Sequence, residues 1–382
     1  MLTRRGRALL TVAILVYAAG VMLGYVELVV LAAAPMLALG TGVLWILRSP
    51  NLEVTRVIAP SRVSRGSPAF GELRITNPNS LASAPLRVLE SCGSKDILVD
   101  VPRLGPSAGT VKRYRLPTDR RGVFLVGPLR MTRSDPLGLW RKARQLGGFD
   151  KLWVHPLVHE LAGMPAGRIK SLDGLASNRV TQGGVAFHAL REYQRGDDLR
   201  MVHWRSTART GTLMVRENLE TSLPQITVLV DTRASSHDAD SFEEVIEAAA
   251  SVLSAASRSQ LPVRLLTSCG RAASGRGPAR AGSLLDTLAE LGLSTATVPL
   301  KDQVSRLGIQ RGGDTLVILT GAPSPTEIVV LAGLTRRYDD AVMGFVTPKA
   351  QEIVLPPGVN VRSIRVESAG EFSRSWISQV LR

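Results

Sequence analysis

Cysteine and aromatic residues are scarce in this chain. It has 2 cysteines in 382 residues, Cys92 and Cys269, and only 4% of its residues are aromatic. Two cysteines so far apart exclude a disulfide framework and indicate a reducing compartment. Few aromatic side chains stand among the basic residues, which disfavours recognition of single-stranded nucleic acid by base stacking. We therefore expect no specific nucleic-acid partner.

Common ligand-binding motifs are absent or incomplete. There is no G-x-G-x-x-G motif, and the glycine-rich residues 275–282 lack the spacing and lysine–hydroxyl pair of a phosphate-binding loop, so we expect no nucleotide site. Residues 105–109 (GPSAG) match the hydrolase pattern G-x-S-x-G, but their proline and turn residues predict a loop. His155 and His159 have the spacing of zinc ligands on a helix, yet Pro156 prevents a helix through both.

Charge is absent from two long stretches near the N-terminus. Residues 8–26 and 28–47 contain no charged side chain and are separated by Glu27. As a helix each would be about 30 Å long, which matches the hydrocarbon core of a bilayer. Arginines flank both outer ends, so we predict that residues 1–48 form a two-helix transmembrane hairpin, with a tight turn near Glu27 and both ends in the cytoplasm. The alternative is a secretory signal peptide cleaved near residues 32–34.

Short runs of β-branched and alternating residues, separated by Gly-Pro and Asn-Pro turns, fill residues 49–160. This pattern predicts a β-rich domain, sandwich-like rather than a barrel. The formal net charge is +15, and residues 111–150 carry ten Lys or Arg against three Asp. The basic strip either attracts anionic lipid head groups or is a solvated strand face.

Strands and helices alternate over residues 225–382, which predicts a mostly parallel α/β sheet of the von Willebrand A or Rossmann type. Ligands of such sheets bind beyond the carboxyl ends of the strands, where Asp231 lies. The sequence DTRAS resembles the D-x-S-x-S metal loop of von Willebrand A-type domains, and it keeps Asp231 and Ser235 as metal ligands. Arg233 replaces the first serine, and Gly321 stands where a third-loop aspartate is expected. A divalent cation is therefore disfavoured, because Arg233 would repel it and could replace its charge.

Residues 161–224 form a linker and a charged segment whose sequence, from residue 191 to 217, is REYQRGDDLRMVHWRSTARTGTLMVRE. Neighbouring opposite charges favour a salt-bridged structural network, while a docking surface or acid/base chemistry are the functional alternatives. The segment closely resembles the signature of the bacterial domain-of-unknown-function family 58. The order of a membrane hairpin, a β-rich part and a von Willebrand A-like part also fits that family. The signature and partner-binding positions are Arg191, Glu192, Tyr193, Gly196, Asp197, Asp198, Arg200, Trp204, Ala208, Arg209, Arg216 and Glu217.

The resemblance implies a protein anchored in the inner or plasma membrane, with most of the chain cytoplasmic. Its partners would be a MoxR-type AAA+ ATPase and a transglutaminase-like membrane protein. The first hypothesis is therefore a non-enzymatic scaffold, without a cofactor, that helps other proteins to assemble or mature. The alternatives are a metal-dependent hydrolase using Asp197, Asp198 and His203, or a nucleic-acid-binding protein.

Overall fold

The computed structural model describes residues 1–47, 52–161, 163–164, 186–194, 202–219, 224–295, 315–347, 353, 355–357 and 361–380. The chain divides into two compact units. The first contains Met1–Leu157 together with Leu285–Leu291, and the second contains Val158–Leu284 and Gly292–Arg382.

Two apolar helices open the first unit, α1 (Arg4–Leu23) and α2 (Val26–Leu47). Both are long and apolar enough to cross a membrane, and most of their surface is exposed. Gly20 lets the helices pack closely, because a Cβ there would lie 2.9 Å from Val29. The turn lies at Gly24 and Tyr25, two to three residues before Glu27, near which it was predicted. Gly24, with φ +74°, ends α1 in the left-handed region that glycine favours, and Glu27 lies in the first turn of α2.

The sheet-rich middle follows, as the sequence predicted. Its strands are β1 (Glu53–Ala59), β2 (Arg62–Ser64), β3 (Ala69–Thr76), β4 (Leu86–Cys92), β5 (Lys95–Val101), β6 (Gly109–Leu116), β7 (Gly122–Ser134), β8 (Arg141–Leu146) and β9 (Asp150–His155). They form a sheet of order β1-β3-β6 and a second sheet of order β2-β9-β7-β4-β5, with β8 added on β7. Residues 105–108 form a turn before β6, so the G-x-S-x-G match is a loop as predicted.

The two sheets share a core. Leu73 and Ile75 of β3 pack in one buried cluster with Val88, Val99 and Leu129 of the other sheet. These residues alternate with more exposed ones along their strands, as expected where each sheet buries one face.

A separate two-stranded sheet and a short helix begin the part of the second unit that the structure describes: β10 (Ala186–Glu192), α3 (Trp204–Thr210) and β11 (Met214–Leu219). The α/β region then consists of β12 (Ile226–Val230), α4 (Ala239–Arg258), β13 (Pro262–Thr267), β14 (Ala272–Arg276), α5 (Pro278–Glu290), β15 (Thr315–Thr320), α6 (Pro325–Thr335), β16 (Asp340–Val346), β17 (Arg362–Val366) and α7 (Ala369–Val380).

The six strands of this region have the order β14-β13-β12-β15-β16-β17. All neighbouring pairs are parallel except the edge pair β13–β14, which the sequence did not predict. The apolar face of α4 is buried, and α6 packs against the sheet through Ile328 and Leu331. An α/β region with a mostly parallel sheet is therefore confirmed.

Candidate functional site

The carboxyl edge of the α/β sheet places several polar side chains together. The chain leaves the central strand β12 for β13 on one side, and β15 lies on the other, so a crevice is expected where these strands end. Asp231 directly follows β12, Ser268 directly follows β13 and Thr320 ends β15. All three side chains are buried.

Arg233 fills this edge. Its Nε and Nη2 donate to the two carboxylate oxygens of Asp231 at 2.9 and 2.7 Å, which is a bidentate pair. Its Nη1 donates to Glu327, in the first turn of α6. Thr320 and Ser268 also donate to the Asp231 carboxylate, at 2.9 and 3.2 Å. One guanidinium therefore lies between two carboxylates, in the manner of a bound cation.

The electrostatics of this cluster favour the ionised pair. Burial opposes ionisation of Asp231, but the hydrogen bonds and charge of Arg233 outweigh it and hold the Asp231 pKa below its usual value. Burial likewise opposes the charge of Arg233, and its two carboxylate partners raise its pKa. Glu327 also has a lowered pKa, because the bonds it accepts from Ser324 and Arg233 outweigh the effect of its burial. The cluster stays charged at neutral pH.

His237 and Gly321 lie beside the Arg233 cluster and fill more of the space at the carboxyl edge of the sheet. Burial lowers the pKa of His237, so its ring is neutral at pH 7. Neither ring nitrogen has a hydrogen-bond partner within the described part of the chain. A Cβ at Gly321 would lie 2.2 Å from the Ser236 carbonyl oxygen. That approach explains why glycine, and not aspartate, follows β15.

The two predicted metal ligands, Asp231 and Ser235, therefore lie in different environments. The carboxylate of Asp231 is occupied by Arg233, whereas Ser235 is exposed. Groups of three or more His, Cys, Asp or Glu able to hold a metal are absent from the described residues.

The charged signature folds as a hairpin with a helix in its connection. β10 and β11 pair antiparallel, with Arg191 opposite Val215 and Glu192 opposite Met214. α3, which the sequence did not predict, is joined to this hairpin at its start and in its middle. The His203 amide donates to the Met214 carbonyl at 2.8 Å, and the Met214 amide donates to Thr207 Oγ1 at 3.0 Å.

The outer side of α3 exposes an aromatic and basic group. Trp204 is 67% exposed, and Arg205, Ala208 and Arg209 are exposed around it. Neither arginine forms an ion pair with any residue that the structure describes. Trp and Arg dominate the binding energy of many protein interfaces, because they bury a large area and also form polar contacts. We call this group of four residues the α3 patch.

The structure brings together eight of the twelve predicted signature positions in this hairpin and helix: Arg191, Glu192, Tyr193, Trp204, Ala208, Arg209, Arg216 and Glu217. Gly196, Asp197, Asp198 and Arg200 lie outside the described residues. The hydrolase alternative needs two of these acids. Its third member, His203, has Nδ1 within 2.7 Å of Ser206 Oγ, in a local bond at the start of α3.

Sequence reasoning missed three residues of the sheet-edge cluster. Glu327 is 94 positions from Arg233, although the S-x-x-E spacing of Ser324 and Glu327 was a legible helix-start signal. Ser268 and Thr320 each follow or end a predicted strand, which is the only signal they give.

The chain thus combines two N-terminal apolar helices, a sheet-rich middle and a C-terminal α/β region. Residues 189–291 match the model of the family "Protein of unknown function DUF58", which is the family that the signature resembles. It is similar to the "Uncharacterized protein YeaD" of Bacillus subtilis, with 30% identity over 142 residues. That match covers 37% of this chain and 34% of the relative, so it spans about a third of the relative's length.

Solved structures give only weak similarities. The CARDB domain of the PF1109 protein from Pyrococcus furiosus is 16% identical over 28% of this chain and 90% of that chain, with a TM-score of 0.21. The alkylpurine DNA glycosylase AlkC of Pseudomonas fluorescens is 12% identical over 26% of this chain and 31% of that one, with a TM-score of 0.19. At such scores neither bears on the fold or function of this chain.

Proposed function

We propose that this protein is a membrane-anchored cytoplasmic docking protein that binds a MoxR-type AAA+ ATPase through the α3 patch and helps other proteins to assemble or mature. The observation that carries the proposal is the exposure of Trp204 beside Arg205 and Arg209, which have no ion-pair partner among the described residues, on a helix that backbone bonds hold in place. Leaving a tryptophan in water costs free energy, and covering it with a partner recovers that free energy.

The patch also indicates the kind of partner surface. Arg205 and Arg209 are both positive and carry no carboxylate partner among the described residues, so the complementary surface is acidic with an apolar recess for the indole. Because α3 is already fastened to β11, little ordering entropy is lost on binding.

Membrane anchoring is supported by the surface of the two N-terminal helices. Leu15, Leu31 and Leu37 are more than 60% exposed, which suits lipid and not water. The start of α1 is also joined to the β8 side of the first unit, since the Thr3 amide donates to the Leu139 carbonyl at 2.8 Å. A signal peptide that is cleaved off would not keep such a contact with the rest of the first unit. Arginines at both outer ends of the hairpin favour a two-pass anchor in the inner or plasma membrane, with both ends cytoplasmic.

A von Willebrand A-like role for the α/β region is supported by its strand order. The third strand of the region, β14, is an antiparallel edge, and the order is 3-2-1-4-5-6 when the strands are numbered within the region. Asp231 and Thr320 meet at the carboxyl edge, where domains of that type hold a cation, but here Arg233 supplies the positive charge. The region would then dock partners, including the transglutaminase-like membrane protein, without a metal cofactor.

Binding of the purified ATPase to the full-length chain in detergent tests the proposal. We expect Trp204→Ala to weaken binding by about thirtyfold or more, because hot-spot truncations cost about 2 kcal/mol or more. Arg209→Glu, as a separate single variant, should weaken binding more strongly, because the new glutamate repels the acidic partner surface. Matched controls are Phe149→Ala, another exposed aromatic, and Arg130→Glu, another exposed arginine. Unchanged affinity in folded Trp204→Ala and Arg209→Glu proteins would overturn the proposal.

A further inference from the structure

A cleft with a volume of about 720 Å³ lies in the first unit, between α2 and the loop of residues 81–85. Its helix side is formed by Thr41, Leu44 and Trp45, whose i, i+3, i+4 spacing places them on one face of α2. Leu44 and Trp45 are about half exposed. Two arginines, Arg103 and Arg133, complete its lining. The cleft therefore combines apolar and positively charged side chains.

The loop side of the cleft is rigid. Asn77 is buried and donates to the Leu81 carbonyl at 2.8 Å and to the Gly105 carbonyl at 2.9 Å. Ser83 and Leu104 bond reciprocally, since the Ser83 amide donates to the Leu104 carbonyl at 2.8 Å and the Leu104 amide donates to Ser83 Oγ at 3.2 Å. These bonds fix the loop, so the cleft exists before any ligand enters.

Arg103 and Arg133 have no anionic partner among the residues that the structure describes. Nε of Arg133 is buried and has no hydrogen-bond partner among the described residues. Burial lowers the pKa of the Arg133 guanidinium, because desolvation disfavours its charged form. Across the part of the chain that the structure describes, neither Arg103 nor Arg133 pairs with a carboxylate. A half-buried guanidinium with a free donor is a ready site for a phosphate.

The cleft lies beside the end of α2 that would meet the cytoplasmic membrane surface. Trp140, at the tip between β7 and β8, donates from its indole nitrogen to the Leu39 carbonyl of α2 at 3.1 Å. Gly42 allows this contact, because a Cβ there would lie 2.8 Å from the Trp140 ring. Trp45 is two positions before Leu47, where α2 ends, in the interfacial zone that tryptophan favours. The cleft thus opens where head groups meet acyl chains.

We propose that this cleft binds one anionic phospholipid, with its phosphate held by Arg103 and Arg133 and the start of an acyl chain lying along Leu44 and Trp45. The inference rests on the membrane placement in the proposed function. The ligand chemistry is a phosphate diester joined to an apolar chain, and a free phosphate lacks the second part.

Lipid retention by the full-length chain tests the site. The chain, purified in detergent, is incubated with dioleoylphosphatidylglycerol or dioleoylphosphatidylcholine, and native mass spectrometry counts the lipids retained. We expect one phosphatidylglycerol per chain, held about tenfold more tightly than phosphatidylcholine, as one charge-assisted contact allows. Arg103→Gln combined with Arg133→Gln should remove this preference, whereas Arg130→Gln, an exposed residue of the same strand as Arg133, should keep it.

Three results would overturn the inference: equal phosphatidylglycerol retention in the double variant, loss of the preference in Arg130→Gln, or displacement of the lipid by millimolar inorganic phosphate. The last would show a site for free anions. Alkaline extraction of host membranes separates this failure from that of the proposed anchor. A chain that is extracted contradicts the membrane placement itself, whereas a chain that stays in the membrane without lipid preference contradicts the lipid site alone.

Discussion

Replacing Arg233 by alanine removes the positive charge from the sheet-edge cluster. Asp231 would lose its bidentate partner and keep only bonds from Thr320, Ser268 and one backbone amide. Breaking a buried ion pair by removing one partner costs about 3–5 kcal/mol, because the other charge stays buried without compensation. For a unit of this size we expect the melting temperature to fall by about 6–20 °C.

The same variant should show a reversed pH dependence. In the wild type the folded-state pKa of Asp231 lies below the unfolded value, so its contribution to stability is complete above about pH 4 and is lost only as the pH falls through the folded pKa. Without Arg233, burial raises the pKa above the unfolded value. The variant then loses stability as the pH rises through that raised pKa, and its deficit should be smaller at pH 5 than at pH 7.5.

Thermal unfolding of the full-length chain in detergent, together with hydrogen exchange of the β12 and β15 peptides, measures this. Arg374→Ala is the control, because Arg374 is exposed on α7 and has no ion pair within the described ranges. Asp231→Asn combined with Arg233→Met should recover most of the loss, since it removes both charges. An equal deficit for Arg233→Ala at pH 5 and pH 7.5 would refute a buried, ionised Asp231.

Three further predictions concern other parts of the chain. Gly321→Ala should cost about 1–3 kcal/mol, because its Cβ would meet a carbonyl oxygen. Gly333→Ala, in the last turn of α6 where a Cβ meets no atom, should stabilise the protein by up to about 0.5–1 kcal/mol, and chemical denaturation compares the two variants. Iodoacetamide at pH 7.5 should modify the exposed Cys269 before the buried Cys92, and peptide mass spectrometry measures the order. Burial opposes ionisation of Cys269, but hydrogen bonds with Thr267 and Arg271 outweigh it and lower its pKa, whereas burial raises the pKa of Cys92 to about 11. Arg56→Met should lower the melting temperature of the first unit, because the fully buried carboxylate of Glu90 loses its ion pair with Arg56. An unchanged melting temperature would refute this.

The elements that sequence predicted well are those with a strong periodic or compositional signal. The charge-free helices and the apolar face of α4 are of this kind. β14 gave no such signal, since Ala272–Arg276 has no β-branched or aromatic residue and pairs only because β13 offers an edge. The turn between α1 and α2 was predicted near Glu27, and its exact position is set by Gly24, because glycine favours the left-handed conformation that ends α1.

The candidate sites depend on contacts that sequence separates. Arg233 was recognised beside Asp231, but Glu327 joins them only through the folding of α6 onto the sheet edge. Trp204 belongs to a recognisable signature, yet its type alone predicts burial, and only the structure places it outside. Arg133 was one member of a basic strip, and its place in the cleft depends on the packing of the loop of residues 81–85 beside α2.

Site-specific photocrosslinking from Ala208, at the centre of the α3 patch, tests the central claim most directly. A benzoylphenylalanine placed there in the full-length chain, and irradiated in the native host, should crosslink to a MoxR-type AAA+ ATPase. The same group at Ser283, an exposed position on α5, should not. Equal crosslinking from both positions, or crosslinks to the ATPase from Ser283 alone, would contradict docking through the α3 patch.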